Sequence, residues 1–393
     1  MPPQSSLETR KALAFVGVVL ASLAAILAAN VAIHDRTTTF SEGVGTPLRD
    51  GLERLIANPT KCAMTLEPGP DNERPMRRVY AGLIPRPDVL VLGQSDADHM
   101  TQSLFKDDVR FYNGFVSTSY FVLQYEVFDE LMRAHGAPPF VLLDVRSGFV
   151  LREGDEAAWD SPANSAIWWG FPAFHLGRAK PPPWYRDIPS LLSLAQTQLT
   201  LGWLSHQLPT KPPAIDFGDT EVDNGSQFRC IDLNKKSGMY RWLVDGSRVY
   251  GDEVGGVLPP PGQVHINEAL GERHVNPNRL VGLEWVLRRL HDAGATVIVY
   301  SPPVNPRSYQ DVKQVKPFQE FGAAIRAVTD RNGLDFCDFT LKADAIGCGA
   351  GDFSDEVHIS RHCDQRILRE MTLGCAPKTG AKLASKLAAA TLK

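Results

Sequence analysis

The sequence predicts an α/β fold on a mostly parallel sheet, with one membrane helix ahead of it and an irregular insertion within it. Three observations lead there: a charge-free apolar run at residues 12–33, two blocks of strand–helix alternation, and a Trp/Pro-rich stretch between those blocks. The 393 residues are 43% hydrophobic and 22% charged, ordinary values for a chain that buries a core. They exclude a polytopic membrane protein and a largely disordered one. With 41 Lys and Arg against 45 Asp and Glu the net charge is −4, so nucleic acid is not an expected partner.

Taken from the start, residues 1–11 read as a cytoplasmic N-terminus and residues 12–33 as a transmembrane anchor. At about 1.5 Å per residue that run crosses a ~30 Å hydrocarbon core. Arg10 and Lys11 precede it and His34, Asp35 and Arg36 follow, a bias that places the remainder outside the cytoplasm. A cleaved signal peptide is the competing reading, with small residues at 27–30; the apolar run is longer than a signal core of ~7–15 residues. Residues 34–85 mix polar, Pro and Gly positions and read as a stalk or linker.

The α/β domain begins with residues 86–150. Asp88-Val-Leu-Val-Leu-Gly93 has the pattern of a buried parallel strand opening into a loop, and Val109-Arg-Phe-Tyr-Asn-Gly114 is a second. Residues 117–135 carry Phe121, Tyr125, Phe128, Leu131 and Met132 at helical spacing and stop at Gly136; Phe140-Val-Leu-Leu-Asp144 is a third strand. Residues 151–275 break the alternation and hold six of the seven tryptophans (159, 168, 169, 184, 203 and 242), the mark of an insertion. Its most helical piece is 188–206, read as core. The domain resumes over 276–378, with a helix at about 279–293 stopping at Gly294, a strand at 296–300 and a helix near 314–330. Residues 379–393 form an Ala/Lys/Leu-rich tail, a surface helix or a frayed end.

All six cysteines (62, 230, 337, 348, 363 and 375) follow the anchor, which suits one to three disulfides, with local pairing among the last four. Zinc is the rival, but the spacings are longer than Cys-x2-4-Cys, and no metal is expected.

Ligands of a parallel sheet bind at the carboxyl ends of its strands. Ser95, in Gly93-Gln-Ser-Asp96, stands there as a candidate nucleophile, or as a helix N-cap. In Asp355-Glu-Val-His358 a carboxylate can orient one imidazole nitrogen and leave the other to deprotonate a serine; the bland reading is an N-cap and a first-turn residue. His99 reads as a helix-face residue, and Asp96 and Asp98 as first-turn acids favoured by the macrodipole.

Together these features resemble the SGNH hydrolase superfamily, also called GDSL-like, over roughly residues 86–145 and 280–375. The resemblance implies a flavodoxin-like three-layer α/β/α fold, a catalytic set of Ser95, Asp355 and His358, and no cofactor. Tyr112-Asn113-Gly114 stands at the second family block, which implies oxyanion or substrate contacts from Asn113 and Gly114. The first block has Gln94 where Asp is common, and no Gly-x-Asn-Asp third block occurs; Arg146 and Ser147 occupy its place, with Arg146 also suited to an ion pair with Asp144. Asn305, in the Pro-rich loop 301–306, is expected at a wall of the site.

The single anchor and the missing third block resemble the exported SGNH-like proteins that accompany membrane-bound O-acyltransferases, in teichoic-acid D-alanylation and alginate O-acetylation. The order Ser, then Asp-x-x-His, is that of the teichoic-acid type. This resemblance implies a serine esterase or acyltransferase acting on ester-linked acyl groups of envelope polysaccharide. Its expected partners are an acyl donor or acylated polysaccharide and a membrane-bound O-acyltransferase. It also implies a single-pass protein of the bacterial inner membrane with its catalytic domain in the periplasm or other extracytoplasmic space. One or two of the Trp faces at 159, 168, 169, 184 and 203 would stack on sugar rings, with the rest packing the insertion. The alternative is a non-catalytic SGNH-fold accessory protein that binds glycan or the acyltransferase.

Overall fold

The computed structural model describes residues 5–41, 70–117, 121–146, 241–249, 275–309, 312–355 and 357–392, with short pieces at 52–53, 55–57, 62–65, 197–198, 201 and 229–232. Helix α1 (Ser5–Ser41) contains the apolar stretch Leu13–Asn30, long and apolar enough to cross a membrane, as an anchor or a signal sequence is. Its Leu13, Phe15, Val18 and Leu20 are exposed, as side chains facing lipid would be.

The central sheet has five strands in the order β3-β2-β4-β8-β9, all parallel. They are β2 (Val89–Leu92), β3 (Phe111–Asn113), β4 (Phe140–Asp144), β8 (Thr296–Ser301) and β9 (Asp335–Asp338). Four of them lie where the apolar runs predict them. The fifth, Asp335-Phe-Cys-Asp338, is half acidic and gives no strand signal by pattern; it forms because Phe336 and Cys337 pair beside β8 and are buried. Strands β2 and β4 are buried along their whole length, which is why they read as continuous apolar runs rather than alternating ones.

Helices α3 (Phe121–His135), α4 (Pro277–Asp292) and α5 (Val312–Arg331) make three successive crossovers that step the same way along the sheet. Right-handed crossovers then put all three on one face, and α3 contacts α4 as α4 contacts α5. Phe128, Leu131, Leu283, Leu287, Phe321 and Ile325 are fully buried there, each worth about 1.5–3 kcal/mol against exposure. Gly136 and Gly294 end α3 and α4 at φ of 84° and 82°, as the predicted stops require. The chain leaves β2 in the opposite sense to reach β3, so the strand order reverses at β2 and opens a crevice at its carboxyl end.

Two segments are better integrated than the sequence suggested. Within the expected stalk, α2 (Pro70–Leu83) packs on α3, and its Met76, Tyr80 and Ala81 are buried. Pro70 marks the start of this helix rather than a break in structure, since a missing N–H costs nothing in a first turn. The tail is likewise anchored, with Leu383 and Leu387 buried, the backbone of Lys386 and Ala388 bonded to the 104–106 loop, and Thr391 Oγ1 donating to the Leu104 carbonyl.

A second sheet, antiparallel, has the order β5-β1-β6-β7. It joins β1 (Cys62–Thr65) to three strands of the insertion: β5 (Arg229–Asp232), β6 (Arg241–Trp242) and β7 (Arg248–Val249). Of the predicted helix 188–206, residues 197, 198 and 201 are described, all helical. Trp159, Trp168, Trp169, Trp184, Trp203 and Ser147 lie outside the described residues.

Candidate active site

Ser95 opens a 3₁₀ turn (Ser95–Ala97) three residues beyond the end of β2, at the point of strand-order reversal. The turn begins with Ala97 N–H donating to the Gln94 carbonyl at 3.0 Å. Gly93 makes this seat sterically feasible: a Cβ there would lie 2.6 Å from the Asp144 Cβ at the end of β4. Ser95 is 8% exposed.

His358 reaches it from a chain segment 263 residues away. Its Nε2 lies 2.7 Å from Ser95 Oγ, and its Nδ1 lies 2.5 Å from Asp355 Oδ2. A carboxylate beside Nδ1 holds the proton on that nitrogen, which leaves Nε2 to accept from the serine hydroxyl. The other Asp355 oxygen accepts from the N–H groups of Val357 and His358, each at 2.8 Å. Partial burial works to raise the Asp355 pKa. The His358 hydrogen bond and charge outweigh it and hold the group well below the usual carboxylate range. The three residues read as catalytic thus meet as a hydrogen-bonded Ser–His–Asp relay.

The expected oxyanion and substrate contacts fare differently. Gly114 N–H donates to the Val91 carbonyl at 2.8 Å, continuing the β2–β3 ladder, and so is engaged rather than open to an oxyanion. Asn113 is fully buried. Its Nδ2 donates to the carbonyls of Ala97 (2.6 Å) and Met100 (3.0 Å), and its Oδ1 accepts from Phe115 N–H, so it holds the nucleophile turn in place. Asn305 is also buried, and its Nδ2 donates to the Asp355 carbonyl at 3.1 Å, bracing the acid–base loop. Both asparagine amides are thus engaged within the protein, Asn113 beneath the Ser95 turn and Asn305 against the Asp355 loop.

Two open groups remain at the nucleophile. Ser95 N–H makes no hydrogen bond among the described residues. Arg146, 24% exposed, puts its Nε 3.8 Å from Asp96 Oδ2; its ion pair is with this residue rather than with Asp144. Burial raises the Asp96 pKa against the pull of Arg146 and His358, which places both side chains near the same carboxyl. Behind them, burial and then the charge of Asp96 push the Asp144 carboxyl well above its ordinary range.

Asp96 lies in the first turn of the 3₁₀ helix and Asp98 just past its end, and both are buried. Asp98 accepts from Arg248 Nε (2.8 Å) and Nη2 (2.6 Å) and contacts His99. Burial raises its pKa, but His99 and Arg248 prevail and hold it at about 2. Arg248 N–H also donates to the Asp98 carbonyl at 2.8 Å. Beside it, the guanidinium of buried Arg77 lies 4.0 Å from the centroid of the Phe115 ring and 4.2 Å from that of Trp242, and those two rings stack at 5.2 Å. Trp242 is therefore core. No local signal joins Asp98 to a residue 150 positions away, and sequence reasoning missed this clamp.

The last four cysteines form Cys337–Cys375 and Cys348–Cys363 disulfides, which removes them as zinc ligands. Among the described residues no cluster of His, Cys, Asp or Glu suits a metal ion. In comparisons with known proteins, no family model and no curated relative matches the chain. The chemistry available to this arrangement is general-base activation of Ser95 for attack on an electrophilic carbonyl.

Proposed function

We propose that the protein is a membrane-anchored, SGNH-like serine esterase or acyltransferase that handles ester-linked acyl groups of envelope polysaccharide. One observation carries the reading: Ser95 Oγ, His358 and Asp355 stand in an unbroken relay of 2.7 and 2.5 Å at the crevice where the strand order reverses. The apolar α1 and two disulfides support a single-pass protein with its folded domain outside the cytoplasm, in a bacterial periplasm or equivalent space.

In this reading Ser95 Oγ attacks the acyl carbonyl while His358 Nε2 takes its proton. Ser95 N–H and the Arg146 guanidinium face the developing oxyanion. The leaving alcohol departs with the proton held by His358, and an acyl-serine remains. Water then completes an esterase cycle, and a sugar hydroxyl completes a transferase cycle with a membrane-bound O-acyltransferase as upstream donor.

A second reading, a non-catalytic accessory protein of the same fold, is favoured by one observation: the Gly114 N–H is engaged in the ladder. The test is to incubate the full chain in detergent with a fluorophosphonate probe and with p-nitrophenyl acetate, beside Ser95→Ala and His358→Ala. Adduct on Ser95, with labelling and turnover lost in both variants, supports the enzyme. A folded chain that gives neither supports the accessory role. Acyl transfer to added sugar acceptors then distinguishes transferase from esterase.

A further inference from the structure

Asp355 and His358 sit at the tip of a small loop that is closed almost entirely on itself. Its backbone forms a narrow hairpin: Phe353 bridges Ile359, Ser354 N–H donates to the His358 carbonyl (3.0 Å), and Ser360 N–H donates to the Asp352 carbonyl (2.8 Å). Asp352 is the hub at its base. Its Oδ2 accepts from Gly349 N–H (2.9 Å), and its Oδ1 accepts from Ser360 Oγ (2.9 Å) and meets His362 Nδ1 (3.1 Å). These contacts define the shape of the loop but not its position in the molecule.

Position comes from Phe353 and Ile359, both buried in the core, and from the two ends. Cys348 N–H donates to the Ala343 carbonyl of α6 (Ala343–Ile346), and Cys363 lies in the first turn of α7 (Arg361–Glu370), capped by Ser360. The Cys348–Cys363 disulfide, both residues fully buried, joins those ends and encloses the whole of 349–362. Among the described residues, the polar contacts from the tip outward are the Asn305 bond to the Asp355 carbonyl and the His358–Ser95 bond.

We infer that the Cys348–Cys363 disulfide is the positioning element of the Asp355–His358 pair, so that the relay to Ser95 is assembled only in the oxidised chain. The inference rests on reading these residues as the acid–base pair. In forming the bond, the two thiols give up two protons and two electrons to a disulfide oxidant, which leaves as a dithiol. Catalytic competence is then coupled to the redox compartment: the chain is inert where thiols stay reduced and becomes active where disulfides form. Cys337–Cys375 is the natural control. It also bears on α7, through the 371–375 turn, but the following segment is held independently by Asp335, which accepts from the N–H groups of Lys378 and Thr379 and from Thr379 Oγ.

The experiment uses the full chain in detergent, with two readouts. One is the rate of fluorophosphonate labelling at Ser95. The other, independent of activity, is the downfield proton resonance of His358 Nδ1, assigned by its loss in His358→Gln. The pair variant Cys348→Val with Cys363→Ala is expected to lose the resonance and to label about 100-fold more slowly, whereas Cys337→Val with Cys375→Ala keeps both. A folded 348/363 pair variant that retains the resonance and the wild-type labelling rate overturns the inference. Should that variant not fold, the wild-type chain is opened stepwise with a phosphine reductant, and the freed thiols are located by alkylation and mass. Labelling and resonance must fall as Cys348 and Cys363 open; their persistence in opened chains overturns the inference. An oxidised wild type that never labels removes the proposed enzyme, while the resonance still decides the positioning role.

Discussion

The two loops that meet at the candidate active site are held by opposite means. The nucleophile turn depends on distant parts of the chain: Asn113 binds the carbonyls of Ala97 and Met100, Asp245 Oδ2 accepts from Gln102 N–H at 2.6 Å, and Arg248 grips Asp98 through both backbone and side chain. The acid–base loop is shaped by neighbours within 15 residues and closed by a disulfide. A serine at the end of a buried strand is thus seated by tertiary contacts, and through Arg248 and Asp245 the insertion becomes part of its support. The acid–base pair is a local device whose only demand on the fold is correct placement. The contrast predicts that damage to the first loop costs stability and activity together, and that damage to the second costs activity first.

The largest effect expected tests the local device. Asp355→Asn removes the charge that sets the His358 tautomer while preserving shape, and kcat should fall by about 10⁴; an unchanged kcat in p-nitrophenyl acetate hydrolysis would detach Asp355 from the relay. Next is the long-range clamp. Arg248→Ala strips a partner from buried Asp98 and should cost about 3–5 kcal/mol in urea unfolding, with slower Ser95 labelling in the surviving folded fraction. Opening Cys348–Cys363, which closes a loop of 15 residues, should cost about 3 kcal/mol in the same measurement. Gly93→Ala forces a Cβ into Asp144 and should cost about 1–3 kcal/mol, with loss of labelling beyond what the stability change explains.

The smallest effect concerns pH. Asp98 is held at about 2, below its unfolded value near ~3.9, so its contribution is fully present above that value and is lost as pH falls from about 4 to 2. Asp144 has the opposite sign: its carboxyl is raised, so its contribution is present below the unfolded value and is lost as pH rises through the folded one. Urea midpoints against pH should therefore flatten at the acid end in Asp98→Asn and at the alkaline side of the carboxylate range in Asp144→Asn. Identical slopes in wild type and both variants would show that neither burial shapes the pH response.

Much of the α/β core was legible because its signals are short-range. Buried parallel strands show as apolar runs at 89–92, 111–113, 140–144 and 296–301, and glycine stops at 136 and 294 end helices whose apolar spacing is regular. The Asp-x-x-His spacing was legible for the same reason, since three residues suffice to bring Asp355 Oδ1 to the His358 N–H. Strand β9 and helix α2 were missed because their burial comes from partners rather than from their own pattern. The internal bonds of Asn113, Gly114 and Asn305 were not legible for a common reason: a residue type suggests which bonds it can make, but only its neighbours decide which ones it makes.

Everything carried by periodicity, turn chemistry and spacing of a few residues was already present in the order of the amino acids: an apolar helix, an α/β alternation, and a serine, an aspartate and a histidine in serviceable local settings. Pairing over long separations was settled only on folding: His358 with Ser95, Arg248 with Asp98, Arg146 with Asp96, and Cys348 with Cys363 among the possible cysteine partners. The reason is physical. A contact between neighbours in sequence needs little loop closure and is selected by the local backbone, whereas a contact across 150 or 263 residues exists only after the sheet order has brought both ends to one crevice.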